Sequence, residues 1–234
     1  MQPETPLMAP GQTASTTSAL AQNRVLRNTY ALLALSMVPT IIGAWTGLQI
    51  HFDLFAKANR GLSFILFLAI AFGFIYGIQK TRNSGWGVAL LLAFTFFMGL
   101  MLSQMLGVVL GMANGASLIA LAFGGTAVIF TAMATLATTI KRDLSGMGKF
   151  LFVGLIMLIL ASFANIFLQL PAMMIAISLI AIGIFSAYLL FDVNRIVTGG
   201  ETNYISATLA LYLDVYNIFV NLLSLLGIFG GSNR

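Results

Sequence analysis

Two carboxylates lie in stretches apolar enough to cross a membrane: Asp192 in "YLLFDVNRI" and Asp214 in "LYLDVYNIF". A carboxylate near the middle of a membrane helix costs roughly 2.5–3.5 kcal/mol on insertion scales. Such a residue faces the bundle interior or a wet cavity, and its default reading is functional. If the two met in a low-dielectric site they could not easily both ionise, and would share one proton. Acid would protonate the pair and higher pH would force repulsion, which makes a pH latch. The same oxygens would suit a hard cation such as Ca²⁺. The plainer alternative is local pairing, Asp192 with Arg195 one turn on and Asp214 with Asn or Tyr donors.

Other polar residues share the faces of these acids. Asn217, Asn221 and Ser224 follow Asp214 at offsets of three, seven and ten, which at 3.6 residues per turn is one stripe. Tyr188, Asp192 and Arg195 form a second face, at offsets of four and three. Arg195 would also neutralise an acid near a helix C-terminus, which opposes the dipole. Ser162, Asn165 and Gln169 make a third such set, and Gln104 is a further intramembrane polar candidate.

Whether Asp192 and Asp214 reach the same depth depends on the turn between them. They are 22 residues apart. A turn centred on Asn203 leaves each 11 residues away, at equal depth. A turn centred on Gly200 gives 8 and 14, a mismatch of about 9 Å at 1.5 Å per residue, part of which helix tilt absorbs. The spacing allows contact without requiring it.

Other chemistries find no support. There is no HExxH, GxSxG, phosphate-binding P-loop or dinucleotide-binding glycine pattern. Cysteine is absent and His51 is the single histidine, so the usual zinc ligand set cannot be assembled. His51 reads as an ordinary interface residue in an external loop. The expectation is a protein that is not an enzyme, with no cofactor beyond Ca²⁺ as a transported ion.

The elements that carry these residues follow from composition. Of 234 residues 59% are hydrophobic and 7% charged, with a mean hydropathy of +1.00. Soluble domains carry about 25% charged residues, so little room is left for a soluble fold. Seven apolar segments, roughly 28–50, 61–79, 86–107, 115–139, 149–169, 171–193 and 204–229, approach or exceed the ~20 residues a span needs. The ~10-residue alternating strands of a membrane β-barrel are missing. The chain reads as an all-α, polytopic bundle of seven transmembrane helices over residues 24–234. Residues 1–23, rich in Ser, Thr, Gln, Ala and Pro, read as a disordered cytoplasmic tail. "ALA" at 19–21 resembles a signal-peptidase site, but no apolar region precedes it. Pro39 should kink the first helix, Pro171 should open the sixth, and Gly199 and Gly200 should end it. "ETNY" should start the seventh, with Glu201 at its positive end.

Basic residues set the orientation. With the N-terminus inside, the cytoplasmic side carries Arg24, Arg27, Lys80, Arg82, Lys141, Arg142, Lys149 and Arg195, and the opposite side Lys57, Arg60 and Arg234. Eight against three puts the C-terminus outside. The basic loop "KRDLSGMGK" at 141–149 is a positive-inside anchor, with anionic-lipid docking as the lesser reading. The modest net charge of +5 argues topology rather than nucleic-acid binding. Small-xxx-small pairs at Gly43/Gly47, Gly73/Gly77 and Gly107/Gly111 permit close helix contact.

The segments "VLRNTYALLAL" (25–35), "FGGTAVIF" (123–130), "ANIFLQLPA" (164–172), "GGETNYISAT" (199–208) and "LYLDVYNIFVNLLSLLG" (211–227) together resemble the Bax inhibitor 1 family, most closely its bacterial YccA-type branch. The resemblance runs from about residue 24 to 229. It implies a seven-helix bundle with the last helix near its centre, in the bacterial inner membrane. It also implies two functions. One is binding and modulation of the membrane-anchored AAA protease FtsH in membrane-protein quality control, with the 1–23 tail as a handle. The other is a pH-dependent Ca²⁺ leak, whose paired acids match Asp192 and Asp214. Channels of this family place an arginine at the cytoplasmic end of the second helix; here "IQKTRN" offers Lys80 or Arg82 as substitutes.

Overall fold

The computed structural model describes residues 10–52, 60–140 and 142–231. They form seven long helices: α1 (Pro10–Gln49), α2 (Arg60–Thr81), α3 (Gly85–Leu110), α4 (Gly115–Thr139), α5 (Gly148–Leu168), α6 (Pro171–Val197) and α7 (Tyr204–Gly231), with one 3-10 turn at Ser145–Met147 before α5. No strand occurs among the described residues. All seven are long and apolar enough to cross a bilayer.

The expected boundaries hold within a few residues, except at the N-terminus. Of the stretch expected to be a disordered tail, residues 1–9 lie outside the described residues. Residues 10–23 instead continue α1 backwards to Pro10. Pro10 suits a first helical position, and the stretch behind it holds Ala, Gln and Leu with no further proline before Pro39. The long apolar run itself starts only after Arg24 and Arg27. α1 runs on through Pro39 without ending there. Pro171 does open α6, and Gly199 adopts φ +81 just past its end, the conformation glycine tolerates best.

Glycine contacts divide sharply. A Cβ on Gly43 or on Gly99 would run into the facing backbone, at Phe96 O and Thr40 O respectively, and one on Gly47 would strike Ser103 Oγ. The Gly43/Gly47 pair therefore seats α1 directly on α3, at Gly99 and Ser103 one turn apart. Gly73 has open space around it, while Gly77 and Gly107 stand at ordinary distance from Leu90 and Leu48. Those spacings are not close crossings.

α7 is the centre of the bundle. It touches α1, α2, α3, α4 and α6, but not α5. Tyr212, Ile218, Leu211 and Leu223 on it are fully buried. The Tyr212 hydroxyl pairs with Thr40 Oγ1 at 2.9 Å, and Thr40 in turn donates to Ser36 O at 2.9 Å. The Tyr216 hydroxyl donates to Met98 O at 3.1 Å. With Phe94 edge-on to Tyr212 at 6.2 Å, these contacts lock α7 to α1 and α3. In a membrane core, where apolar burial drives little helix association, such packing and hydrogen bonds supply the specificity.

Candidate functional site

The gap between α5 and α7 is a cavity of about 540 Å³. Its apolar wall includes Phe64, Phe67 and Ile75 of α2, Leu155 and Leu158 of α5, and Ile177 and Phe185 of α6. Its polar lining is Tyr188, Asp192, Ser162, Asp214, Tyr216, Asn217 and Asn221. From Asp192 to Ile177 along α6 the lining extends about 22 Å at 1.5 Å per residue.

Asp192 and Asp214 come together at one end of this cavity, both lining it. Asp192 lies about five residues from the end of α6 and Asp214 about ten from the start of α7, an axial offset of about 7 Å. The 198–203 connection and side-chain reach absorb it. Asp214 is 4% exposed and its Oδ2 meets no hydrogen-bond donor. Two ionised carboxylates only accept, so a bond between them needs one proton on the pair. Local pairing also holds for Asp192: Arg195 Nη1 stands 3.7 Å from its Oδ1. Arg195 Nη2 reaches Glu201 at 3.8 Å, and the guanidinium lies 5.5 Å over the Phe191 ring. Arg195 thus joins the acids from the end of α6 without lining the cavity.

The other expected residues sort clearly. Asn217 and Asn221 line the cavity as the stripe on α7 implied, each donating back to its own helix, to Leu213 O and Asn217 O at 2.8 Å. Ser224 does not: three residues on from Asn221 it turns into the packed end of the bundle, where its buried Oγ has no partner. Ser162 lines the cavity, but its companions serve the α5–α6 turn. Asn165 Oδ1 accepts from Leu170 N at 3.1 Å, and Gln169 ends α5 at φ 52. Lys80 and Arg82 both lie exposed at the end of α2, outside the cavity and in neither ion pair. The base beside the acids is Arg195, because α2 has no basic residue deep enough. Gln104 Nε2 donates to Phe52 O at 3.3 Å, at the opposite end of α3 from Arg82. His51 is exposed in the turn after α1, at φ 50.

Two asparagines escaped the sequence reading. Asn194, fully buried, donates to Ile140 O at 3.3 Å and Arg142 O at 3.2 Å, and accepts from Leu144 N at 3.1 Å. It lies two residues past Asp192, hence on the other side of α6, and holds the α4–α5 loop against it. The rule that a polar residue in an apolar helix faces inward would have found it. Asn203 caps α7, accepting from Ile205 N and Ser206 N at 3.0 and 3.1 Å. Its Nδ2 reaches Arg82 O and Asn83 Oδ1 in the α2–α3 turn. Glu201, expected at the start of α7, instead braces the turn before it, accepting from Thr202 N and Asn203 N. The N-cap preference for Asn identifies Asn203.

Comparison with known proteins gives the class: the chain is a member of the Bax inhibitor 1 family. The family model described as "Inhibitor of apoptosis-promoting Bax1" matches residues 22–231. The chain is 41% identical over 211 residues to the Escherichia coli K12 protein named "Modulator of FtsH protease YccA", covering 90% of this chain and 93% of that one. It is 38% identical over 226 residues to a Vibrio cholerae membrane protein, covering 95% and 97%. An uncharacterised Neisseria meningitidis protein is 37% identical over 212 residues, covering 90% and 93%.

Proposed function

We propose that the protein is a bacterial inner-membrane regulator that binds and modulates an FtsH-type membrane protease, acting as a modulator and not as an enzyme. The observation that carries this reading is the 41% identity, over nearly the full length of both chains, to the E. coli protein named for that role. The basic loops argue for a cytoplasmic N-terminus and an external C-terminus. Helix α1 begins at Pro10, ahead of the apolar run that follows Arg27, so a polar extension on the cytoplasmic side is available to an ATP-driven protease. Deleting residues 1–20 tests this. The expected result is a changed half-life of the protein or a changed inhibition of the protease. An unaltered half-life together with unaltered protease activity contradicts the handle.

A second reading, a pH-dependent cation leak, is favoured by the Asp192–Asp214 contact at the end of a membrane cavity. Losing the shared proton would replace a hydrogen bond by repulsion and part α6 from α7. Ca²⁺, as the transported ion, would then find two carboxylates and complete its oxygen shell from water or amides. Purified protein in liposomes should pass Ca²⁺ with a pH dependence that Asp214→Asn alters. Equal flux in both proteins sinks the latch.

A further inference from the structure

Beyond its acids, the cavity has a long apolar wall that neither the protease nor the Ca²⁺ reading uses. We infer that it is a binding site for monovalent cations with an apolar body, the charge seated at Asp192 and Asp214 and the body along α2, α5 and α6. The inference does not rest on either reading above.

Three observations carry it. The first is the pair of acids: Asp192 and Asp214 both line one end of the cavity, and Asp214 is 4% exposed. A buried carboxylate is costly unless a cation or a donor meets it. The second is the wall. Beyond the acids the lining is mostly Phe, Leu, Ile and Ala, with Tyr188 and Tyr216 beside the acids. Aromatic faces near a carboxylate attract weakly hydrated organic cations, and 540 Å³ lies within the usual size of a small-molecule site. A small inorganic ion would leave most of this apolar volume unused.

The third is charge. In the closed arrangement the pair shares one proton and so carries one negative charge. Arg195, 3.7 Å from Asp192, and Glu201, 3.8 Å from Arg195, offset each other. The remaining charge matches a single positive head, not a bare divalent ion. Tyr188 and Tyr216 complete the titratable groups around the pair. Access fits as well. The α2 and α5 walls belong to the two least buried spans of the bundle, each 11% buried, so an amphipathic ligand reaches the cavity from the bilayer.

Saturable binding of radiolabelled tetraphenylphosphonium to the detergent-purified full chain tests the inference, with the isosteric anion tetraphenylborate as competitor. The expected result is saturable binding that unlabelled cation displaces and the anion does not. The double variant Asp192→Asn, Asp214→Asn, which leaves the pair no charge, should weaken it about tenfold or more, as loss of a buried charge partner does. Ser162→Phe, which fills the cavity from α5, should weaken it without touching an acid. Asp143→Asn, in the exposed turn after α4, should leave it unchanged. Each variant's thermal melting is checked first; if the double variant does not fold, Ser162→Phe and the competition on the unmodified chain decide. No saturable binding, equal displacement by the anion, or undiminished binding in the double or Ser162 variants overturns the proposal.

Discussion

Asp192 on α6 and Asp214 on α7 come together across the last hairpin, at one end of the α5–α7 cavity. Both acids lie in helices that otherwise suit lipid. A shared proton would let one apolar hairpin tolerate both, since it would remove one buried charge and satisfy the contact at once.

Asp214→Asn keeps the shape and supplies an N–H donor to Asp192 at every pH. The α6–α7 contact then no longer depends on the shared proton. In the unmodified protein the contact weakens as pH rises and the pair loses that proton; in the variant this dependence should flatten. Distances between spin labels near the end of α6 and the start of α7, followed across pH, check it. An unchanged profile in the variant removes the pair as the source.

Asn194→Ala strips the α4–α5 loop of one acceptor and two donations. An unsatisfied buried group costs about 1–3 kcal/mol, so thermal stability in detergent should drop measurably. Hydrogen exchange at the Leu144 amide should speed up, while amides in the middle of α3 stay protected. Unaltered exchange at Leu144 contradicts the role.

Gly99→Ala should destabilise the bundle by about 1–3 kcal/mol, because the methyl group has nowhere to go against the α1 backbone at Thr40. Gly73→Ala, with open space around it, should lie within about 0.5 kcal/mol of the parent. Unfolding midpoints of the two variants in one detergent compare them directly. Similar losses in both would contradict the close α1–α3 crossing.

Tyr212→Phe removes the hydroxyl that joins α7 to Thr40 and leaves the ring against Phe94. Interhelical hydrogen bonds in membrane proteins average about 0.6 kcal/mol, so a small loss of stability is expected, and Thr40→Val should add little to it. A double-mutant cycle by thermal unfolding measures the coupling.

Much of this was legible in the sequence because membrane helices are written in long apolar runs. Composition located seven spans, the Lys and Arg distribution suggested their orientation, and helical spacing put Asp214, Asn217 and Asn221 on one face. Contacts between distant segments were less legible. Gly43 and Gly73 look alike in sequence, yet only the first meets a facing backbone, since what opposes a glycine depends on tertiary packing. Lys80 and Arg82 were plausible partners for the acids by position, but α2 delivers them to its exposed end. Asn194 and Asn203 hold loops by hydrogen bonds to backbone atoms, and no pattern of side-chain types records which carbonyl a side chain will meet. Ser224 shows the limit of extending a stripe: after three turns the face it belongs to has left the cavity.

The central claim is modulation of an FtsH-type protease. It is tested most directly by reconstituting such a protease in liposomes with a membrane substrate and measuring the degradation rate with and without this protein. The account predicts slower degradation in its presence, in a dose-dependent way, with the effect changed when residues 1–20 are removed. A degradation rate that is the same at every ratio of the two proteins would contradict it.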